Sequence, residues 1–313
     1  MYGEGHPYSA PLTGTGTEAA TAQLTVSELQ DFHQTWFKPN NATLIVVGDT
    51  TAEEILPRIR AAFAGWNRGS LPAREVPTVP LRAGTSVYLL DKPGAEQSVI
   101  FAAHLAPPKA NRDERGIEIL NALLGGKFTS RLNLNLRENK HWTYGARTEL
   151  LDARHQRLFF AVAPVQTDKT ADAIREIRQE LTAVIGPRPP EATEVAETVK
   201  QTALELAGRW ETRDAVAGSL AELVRFDFPD NYFATYATSV QTQTVDTVTR
   251  AARVLVQPDR LVWVVVGDRA KIETGLRELG YGPVELLDAD GAPGARVVSE
   301  RLRVQSGGEW SSR

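Results

Sequence analysis

The sequence contains no cysteine and a single methionine among its 313 residues. Without cysteine there is no disulfide scaffold, no thiolate nucleophile and no Cys-ligated metal site; the redox compartment stays open. Long apolar runs are also missing. The longest unbroken ones, Leu158 to Ala163 and Leu261 to Val266, are six residues each, whereas a membrane-spanning helix needs ~18–20. The opening residues, MYGEGHPYSAPLTG, show neither the basic nor the apolar stretch of a signal peptide and read as the middle of a loop. Positive charge is not in excess. Thirty-five Lys and Arg against 39 Asp and Glu give a net charge of −4 and a pI near 5.8, so the basic footprint of a nucleic-acid binder is lacking.

Catalytic motifs are scarce as well. The five histidines are His6, His33, His104, His141 and His155. No two stand three to five apart, and neither H-E-x-x-H nor H-x-x-E-H occurs. Zinc hydrolysis relies on a metal that lowers the pKa of bound water from ~15.7 to ~7, and no local ligand pair supplies it. G-x-S-x-G and S-x-x-K are absent. Gly14-Thr15-Gly16 is a lone G-x-G without the G-x-G-x-x-G context that a dinucleotide site requires. No spacing singles out a glycosidase-like pair among the 39 acids.

What is present is an ordinary globular composition, 42% hydrophobic and 24% charged, at a length that suggests two domains. An internal repeat organises it. Residues 25–49, TVSELQDFHQTWFKPNNATLIVVGD, align without a gap with 244–268, TVDTVTRAARVLVQPDRLVWVVVGD, at an offset of 219 and with seven identities in 25. Both copies read as a polar cap, an amphipathic helix, Pro, a β-rich run and Gly-Asp. In the first copy, Thr25 and Glu28 fit a capping box, and Leu29, Phe32, His33 and Trp36 follow at helical spacing. Pro39 stops the helix, and Leu44 to Val47 reads as a strand buried on both faces. Gly48-Asp49 then turns into a helix over 51–64 that Pro57 should kink or break. The second copy lies in a unit starting near 85, after the Pro/Gly-rich stretch Asn67 to Gly84. Subtracting the offset puts the start of the first unit roughly 130 residues before Met1, so the chain is expected to begin inside its own first repeat.

Within the complete unit, 86–90 and 98–104 read as strands and 113–124 as a helix with Ile117, Leu120, Leu123 and Leu124 inward. Gly125-Gly126 is expected to close that helix at its C′ position. Thr129 or Ser130 should cap a second helix reaching about Glu138, with Leu132, Leu136 and Leu134 inward. Strands over 142–150 and 157–163 follow, then helices over 167–185, 191–209, 212–226, 229–240 and 245–255, a strand over 260–267 and a helix over 269–279. This order predicts an α+β fold with one sheet and helices against one face. The tail beyond Asp288 reads as loop or disorder.

The most informative segment is 123–149, LLGGKFTSRLNLNLRENKHWTYGARTE. In one reading Arg137 is a solvated helix residue and Tyr144 a half-buried strand residue. In the other, a helix-loop-strand return brings guanidinium and phenol to one cleft edge. There both can donate to a peptide carbonyl, at ~1.5–3 kcal/mol for a charge-assisted bond, while an edge strand holds a peptide by β-augmentation.

LLGGKFTSRLNLNLRENKHWTYGA resembles the second homologous domain of the pitrilysin/insulinase family, zinc metallopeptidases of the inverted-motif type: a helix ending LGG, then SRL, LRE and a Tyr seven residues after the Arg. HPYSAPLTGT and the first repeat copy are similar to the later part of the family's first domain, and DKPGAEQSVI to the opening of its second, so the likeness covers about 1–285. The resemblance implies duplicated α+β sandwich domains, each a mostly antiparallel sheet with helices on one face. It divides the chain into a remnant of the first domain (1–66), a linker (67–84), a complete second domain (85–285) and a flexible tail (286–313). It implies that Arg137 and Tyr144 match the family's Arg/Tyr pair, which holds substrate or the transition-state oxygen across the cleft from zinc. The glycine usual before the Tyr is replaced within His141-Trp142, so the turn must be made without it. The family's zinc ligands, H-x-x-E-H and a later Glu, lie in the first domain upstream of the HPY segment. No catalytic or metal-ligating residue falls on this sequence. Zinc is expected in the intact enzyme or a partner subunit, and this chain alone is expected to be inactive. The implied partners are a peptide or unfolded polypeptide and a zinc-bearing homologous subunit. The alternative reading is a genuine non-catalytic subunit of a heterodimeric zinc peptidase, and bacterial relatives point to the cell envelope or periplasm.

Overall fold

Residues that alternate between apolar and polar form strands when one face of each can be covered by helices. The computed structural model, which describes residues 1–10, 14–288 and 291–292, contains β1 (Ser86–Asp91), β2 (Gln97–Ala106), β3 (Arg147–Leu151), β4 (Arg157–Gln166), β5 (Val262–Gly267) and β6 (Val284–Leu287). They form one sheet of order β3-β4-β2-β5-β1-β6. The β3–β4, β4–β2 and β2–β5 pairs are antiparallel; β5–β1 and β1–β6 are parallel. The helices are α1 (Glu18–Gln23), α2 (Val26–Trp36), α3 (Ala52–Ala62), α4 (Glu114–Asn121), α5 (Arg131–Asn133), α6 (Thr170–Ile185), α7 (Ala192–Glu205), α8 (Arg213–Phe226), α9 (Tyr232–Gln241), α10 (Val245–Leu255) and α11 (Arg269–Glu278). Helices α4, α6, α10 and α11 pack over the sheet face that carries Leu89, Ile100, Ala102, Phe159, Ala161 and Val265, all fully buried. The single α+β sheet expected from the element order, mostly antiparallel as the family resemblance implies, is therefore the fold of 86–287.

The local signals for helix ends hold well. Thr25 and Glu28 form the reciprocal capping box that opens α2, Thr51 and Glu54 form another on α3, and α10 runs over 245–255 as its pattern predicts. Asp268, at the end of the repeated VVGD, accepts from the Ala270 amide and so caps α11.

Five expectations need correction. Leu44 to Val47 does not form a strand: its backbone is unpaired among the described residues, and Leu44 and Val46 are exposed. An apolar run becomes a strand only where neighbours satisfy its N–H and C=O groups, and its repeat counterpart in β5 has β2 and β1 on its two sides. Helix α3 passes unbroken through Pro57, which is tolerable on an exposed helix whose freed carbonyl meets water. The pair Gly125-Gly126 is not a left-handed cap, since neither residue has a positive φ; both lie in a π-turn, Ala122–Gly126, that extends α4. The strand expected from Trp142 starts only at Arg147, because 142–146 form a turn. The helix expected to reach Glu138 is present, α5 passing directly into a π-helical stretch, Leu134–Asn139, and Leu132 and Leu136 are buried as expected; Leu134, expected inward, is exposed. Ser130 stands at its N-cap without a side-chain capping bond. Strand β6 has no counterpart in the sequence pattern, and most of the expected tail lies outside the described residues.

A buried ionic network, invisible to pattern reading, ties the end of β2 to α4 and β4. Arg157, with no exposed surface, binds Glu114 in bidentate fashion at 3.1 and 2.5 Å and also pairs with Asp152. Lys109 reaches Glu114, Glu118 and Asp152 at 3.1–3.2 Å. Burial alone would lower the Lys109 ammonium, yet the three carboxylates outweigh it and hold the pKa above its ordinary value. Burial raises the Glu114 carboxyl despite Lys109 and Arg157, whereas for Glu118 the two cations Lys109 and Arg115 overcome burial and keep it low. Removing one member of such a network strands a buried charge, typically at ~3–5 kcal/mol.

His104 lies within the same core. It is 1% exposed, its ring packs 5.0 Å from that of Phe159, and the Gln257 amide donates to its Nε2 at 3.4 Å. Nδ1, 3.1 Å from the Leu105 carbonyl, therefore carries the proton of a neutral ring. Burial pushes its pKa down from 6.5 to about 4, against the opposing Leu105 bond. As pH falls from 6.5 towards 4, the unfolded chain binds a proton that the folded chain refuses. The stability contribution is thus whole above pH 6.5 and falls by about 3 kcal/mol across that window. Urea unfolding between pH 7 and 4.5 should show this loss, and His104→Gln should flatten the slope by about 1 kcal/mol per pH unit. Parallel slopes for the two proteins would contradict the assignment.

Candidate functional site

The segment from α4 to β3 doubles back at one end of the sheet. After the π-turn 122–126, α5 and a second π-turn, Leu134–Asn139, carry Arg137 to the last turn of the helical stretch. The chain then reverses at His141, which takes the left-handed conformation at φ +57°. The His141 amide donates to the Arg137 carbonyl at 3.1 Å and the Trp142 amide to the Leu136 carbonyl at 3.0 Å, the bonding of a helix C-terminal stop. A histidine, without the freedom of glycine, therefore holds this left-handed turn. Beyond it, the Gln166 amide donates to the Trp142 carbonyl at 3.0 Å, which anchors the reversal to the end of β4. Thr143 then braces the next residues: its Oγ1 accepts from the Gly145 amide at 3.0 Å and also binds the Pro164 carbonyl.

This path brings Arg137 and Tyr144 to one cleft of about 460 Å³, walled also by Glu96, Gln97, His141 and Gln166. The Arg137 guanidinium lies 4.5 Å from the Phe128 ring centroid and 3.3 Å from Glu138. Tyr144 is 87% exposed and its hydroxyl has no partner among the described residues. Neither side chain supports the core, so both are free to donate outward. Strand β3, which starts three residues after Tyr144, is an edge of the sheet. The cleft thus holds two hydrogen-bond donors, and the chain leaving Tyr144 runs directly into an edge strand. Glu96, Gln97 and Gln166 were not singled out by sequence reasoning. They stand at strand ends that pair only across the fold, Gln97 with Gln166.

A second cleft of about 470 Å³ beside α5 and α6 is lined by residues already paired with one another, Arg131 with Glu194 and Arg188 with Glu180. Among the described residues no three His, Asp or Glu side chains come together as metal ligands. His33 lies in the exposed helix α2 and His104 in the core. Among the described residues, then, no donor set fits a zinc site.

Comparison with known proteins agrees with the fold. Residues 23–202 match the protein family described as the peptidase M16 inactive domain. The zinc protease PqqE of Helicobacter pylori is 22% identical over 175 residues, which cover 55% of this chain and 38% of that protein. Among solved structures, a peptidase M16 inactive domain from Pseudomonas fluorescens superposes with a TM-score of 0.72 at 19% identity, covering 80% of this chain and 59% of that one. The periplasmic protease PqqL of Escherichia coli superposes with a TM-score of 0.65 at 16% identity, covering 84% and 32%. At such identities the structural likeness is one of fold. The chain spans less than half the length of the curated relatives it matches.

His141 allows a direct test of the reversal. A non-glycine residue in the left-handed region is strained, and glycine relieves that strain while losing some unfolded-state entropy. His141→Gly is expected to raise stability by about 0.5–1 kcal/mol in urea unfolding. A clear loss would mean that the imidazole itself holds the turn.

Proposed function

The chain belongs to the peptidase M16 family, of which it carries the inactive domain, and from that premise we propose that it supplies the substrate-binding wall for peptide hydrolysis. In this reading residues 85–285 are the second peptidase-like domain, 67–84 the linker, 1–66 the later part of a first domain and 286–313 a flexible tail. An unfolded polypeptide lies along the edge of β3. Arg137 and Tyr144 donate to its carbonyl oxygens, and the cleft that both line is the observation that carries the reading. In this reading zinc belongs to the intact enzyme or to a homologous subunit, in line with the relatives named zinc proteases, and no step of the reaction is assigned to this chain. A cell-envelope location is supported by the periplasmic protease among the structural relatives.

The alternative, a non-catalytic subunit that binds substrate and assembles with a zinc-bearing partner, has its own supporting observation. In the second repeat copy Val248, Ala251, Ala252 and Leu255 of α10 are fully buried. Of their counterparts on α2, Leu29 and Phe32 are 53% and 56% exposed, His33 is exposed and Trp36 half-buried, and the run matching β5 is unpaired among the described residues. A polypeptide with equivalents of β1, β2, α4 and α6 would cover this face.

Reduced, carboxymethylated α-lactalbumin serves as an unfolded probe. Arg137→Ala and Tyr144→Phe should each weaken its binding about tenfold or more, the loss of one hydrogen bond to substrate. Their melting temperatures should stay within about 2 °C of the parent, as expected for side chains outside the core. Unchanged affinity would reject the binding role, and a joint fall in melting temperature would return both residues to a structural one.

A further inference from the structure

Arg137 and Tyr144 lie on different arms of the chain reversal, and one buried side chain bonds to both arms. Asn133, 4% exposed, is the last residue of α5 and sits one turn before Arg137. Its Nδ2 donates to the Phe128 carbonyl at 2.7 Å, and its Oδ1 accepts from the Ala146 amide at 3.1 Å. Phe128 is the platform beneath the Arg137 guanidinium. Ala146 ends the turn that presents Tyr144 and is followed directly by β3. The same Oδ1 would be 3.9 Å from a Cβ on Gly145, an ordinary van der Waals distance that places the amide group beside the turn. Phe128 is itself 58% exposed, so core packing does not fix it; its carbonyl is held by this one side-chain bond.

We propose that Asn133 is a positioning residue that sets the Phe128–Arg137 stack and the Tyr144 turn at a fixed separation. The proposal rests on the reading of Arg137 and Tyr144 as a binding pair, and it adds the element that makes them act together. An amide is the required chemistry. One arm needs a donor for a carbonyl and the other an acceptor for an amide N–H, and only Asn offers both at this length. Aspartate keeps the acceptor and loses the donor; alanine loses both.

The test uses the whole chain, ¹⁵N-labelled, with the Arg137 Nε–H and the Gly145 and Ala146 amides as reporters. Asn133→Ala should shift all three signals and weaken binding of reduced, carboxymethylated α-lactalbumin about tenfold, the usual cost of disordering a preorganised contact. Asn133→Asp should leave the Ala146 signal near its place and move that of Arg137. In an Arg137→Ala/Tyr144→Phe background, Asn133→Ala should weaken binding no further, the non-additivity of residues acting through one another. If Asn133→Ala does not fold, Asn133→Asp decides on the same signals. Unmoved signals overturn the proposal, and so does full additivity with the double substitution. Moved signals together with an affinity indifferent to Arg137 and Tyr144 would instead support the clamp and overturn the binding reading on which it rests.

Discussion

The backbone at Gly125 passes so close to strand β3 that no side chain fits between them. A Cβ there would lie 2.3 Å from the Thr148 nitrogen and 2.5 Å from its hydroxyl. The Thr148 hydroxyl in turn donates to the Asn121 side chain at 2.8 Å, which pins the strand to the end of α4. This approach sets where the chain emerges into 127–130, and hence where α5 starts, where Arg137 ends and where the reversal at His141 must fall. The exposed cleft is thus fixed by a buried contact on the far side of the helical segment.

The second organising element is the network around Arg157 and Lys109. It gathers charges from the end of β2, from α4, from the β3–β4 connection and from β4. Opposite charges compensate one another, so desolvation is offset by pairing. Tyr236 donates to Glu118 at 3.0 Å, and the Arg115 guanidinium lies 3.9 Å from the Tyr236 ring, which brings α9 into the same assembly. Together with the apolar core this makes the β3–β4 region and α4 one unit, and the cleft residues rest on it without contributing to it.

How much of this was legible in the sequence follows from how local each signal is. The Thr25–Glu28 capping box, the helix spacing and the apolar runs of β2 and β4 are written within a few residues of where they act, and they read correctly. The run Leu44 to Val47 has the apolar character of β5 but lacks paired neighbours, and a strand is a property of the pair rather than of the run. Gly125 was readable as a glycine that matters, yet its reason is Thr148, 23 positions away, and the helical ending suggested a cap instead. The cleft was partly legible: Arg137 and Tyr144 stood out by their spacing and their resemblance to known enzymes. Gln97, Gln166 and Asn133 carry no local signature, because their partners are set only by sheet register and by the reversal.

The same limits explain why the two repeat copies, so alike in grammar, look different in space. The second is enclosed by the sheet and by α4 and α6, whereas the first shows its helix face to solvent. The central claim, that this chain binds polypeptide but holds no metal-activated nucleophile of its own, is tested most directly in one cuvette. The purified chain is mixed with reduced, carboxymethylated α-lactalbumin and zinc, and binding and cleavage are followed together. Saturable binding with the polypeptide left intact is the predicted result. Cleavage that a chelator abolishes, or the absence of any binding, would contradict the account.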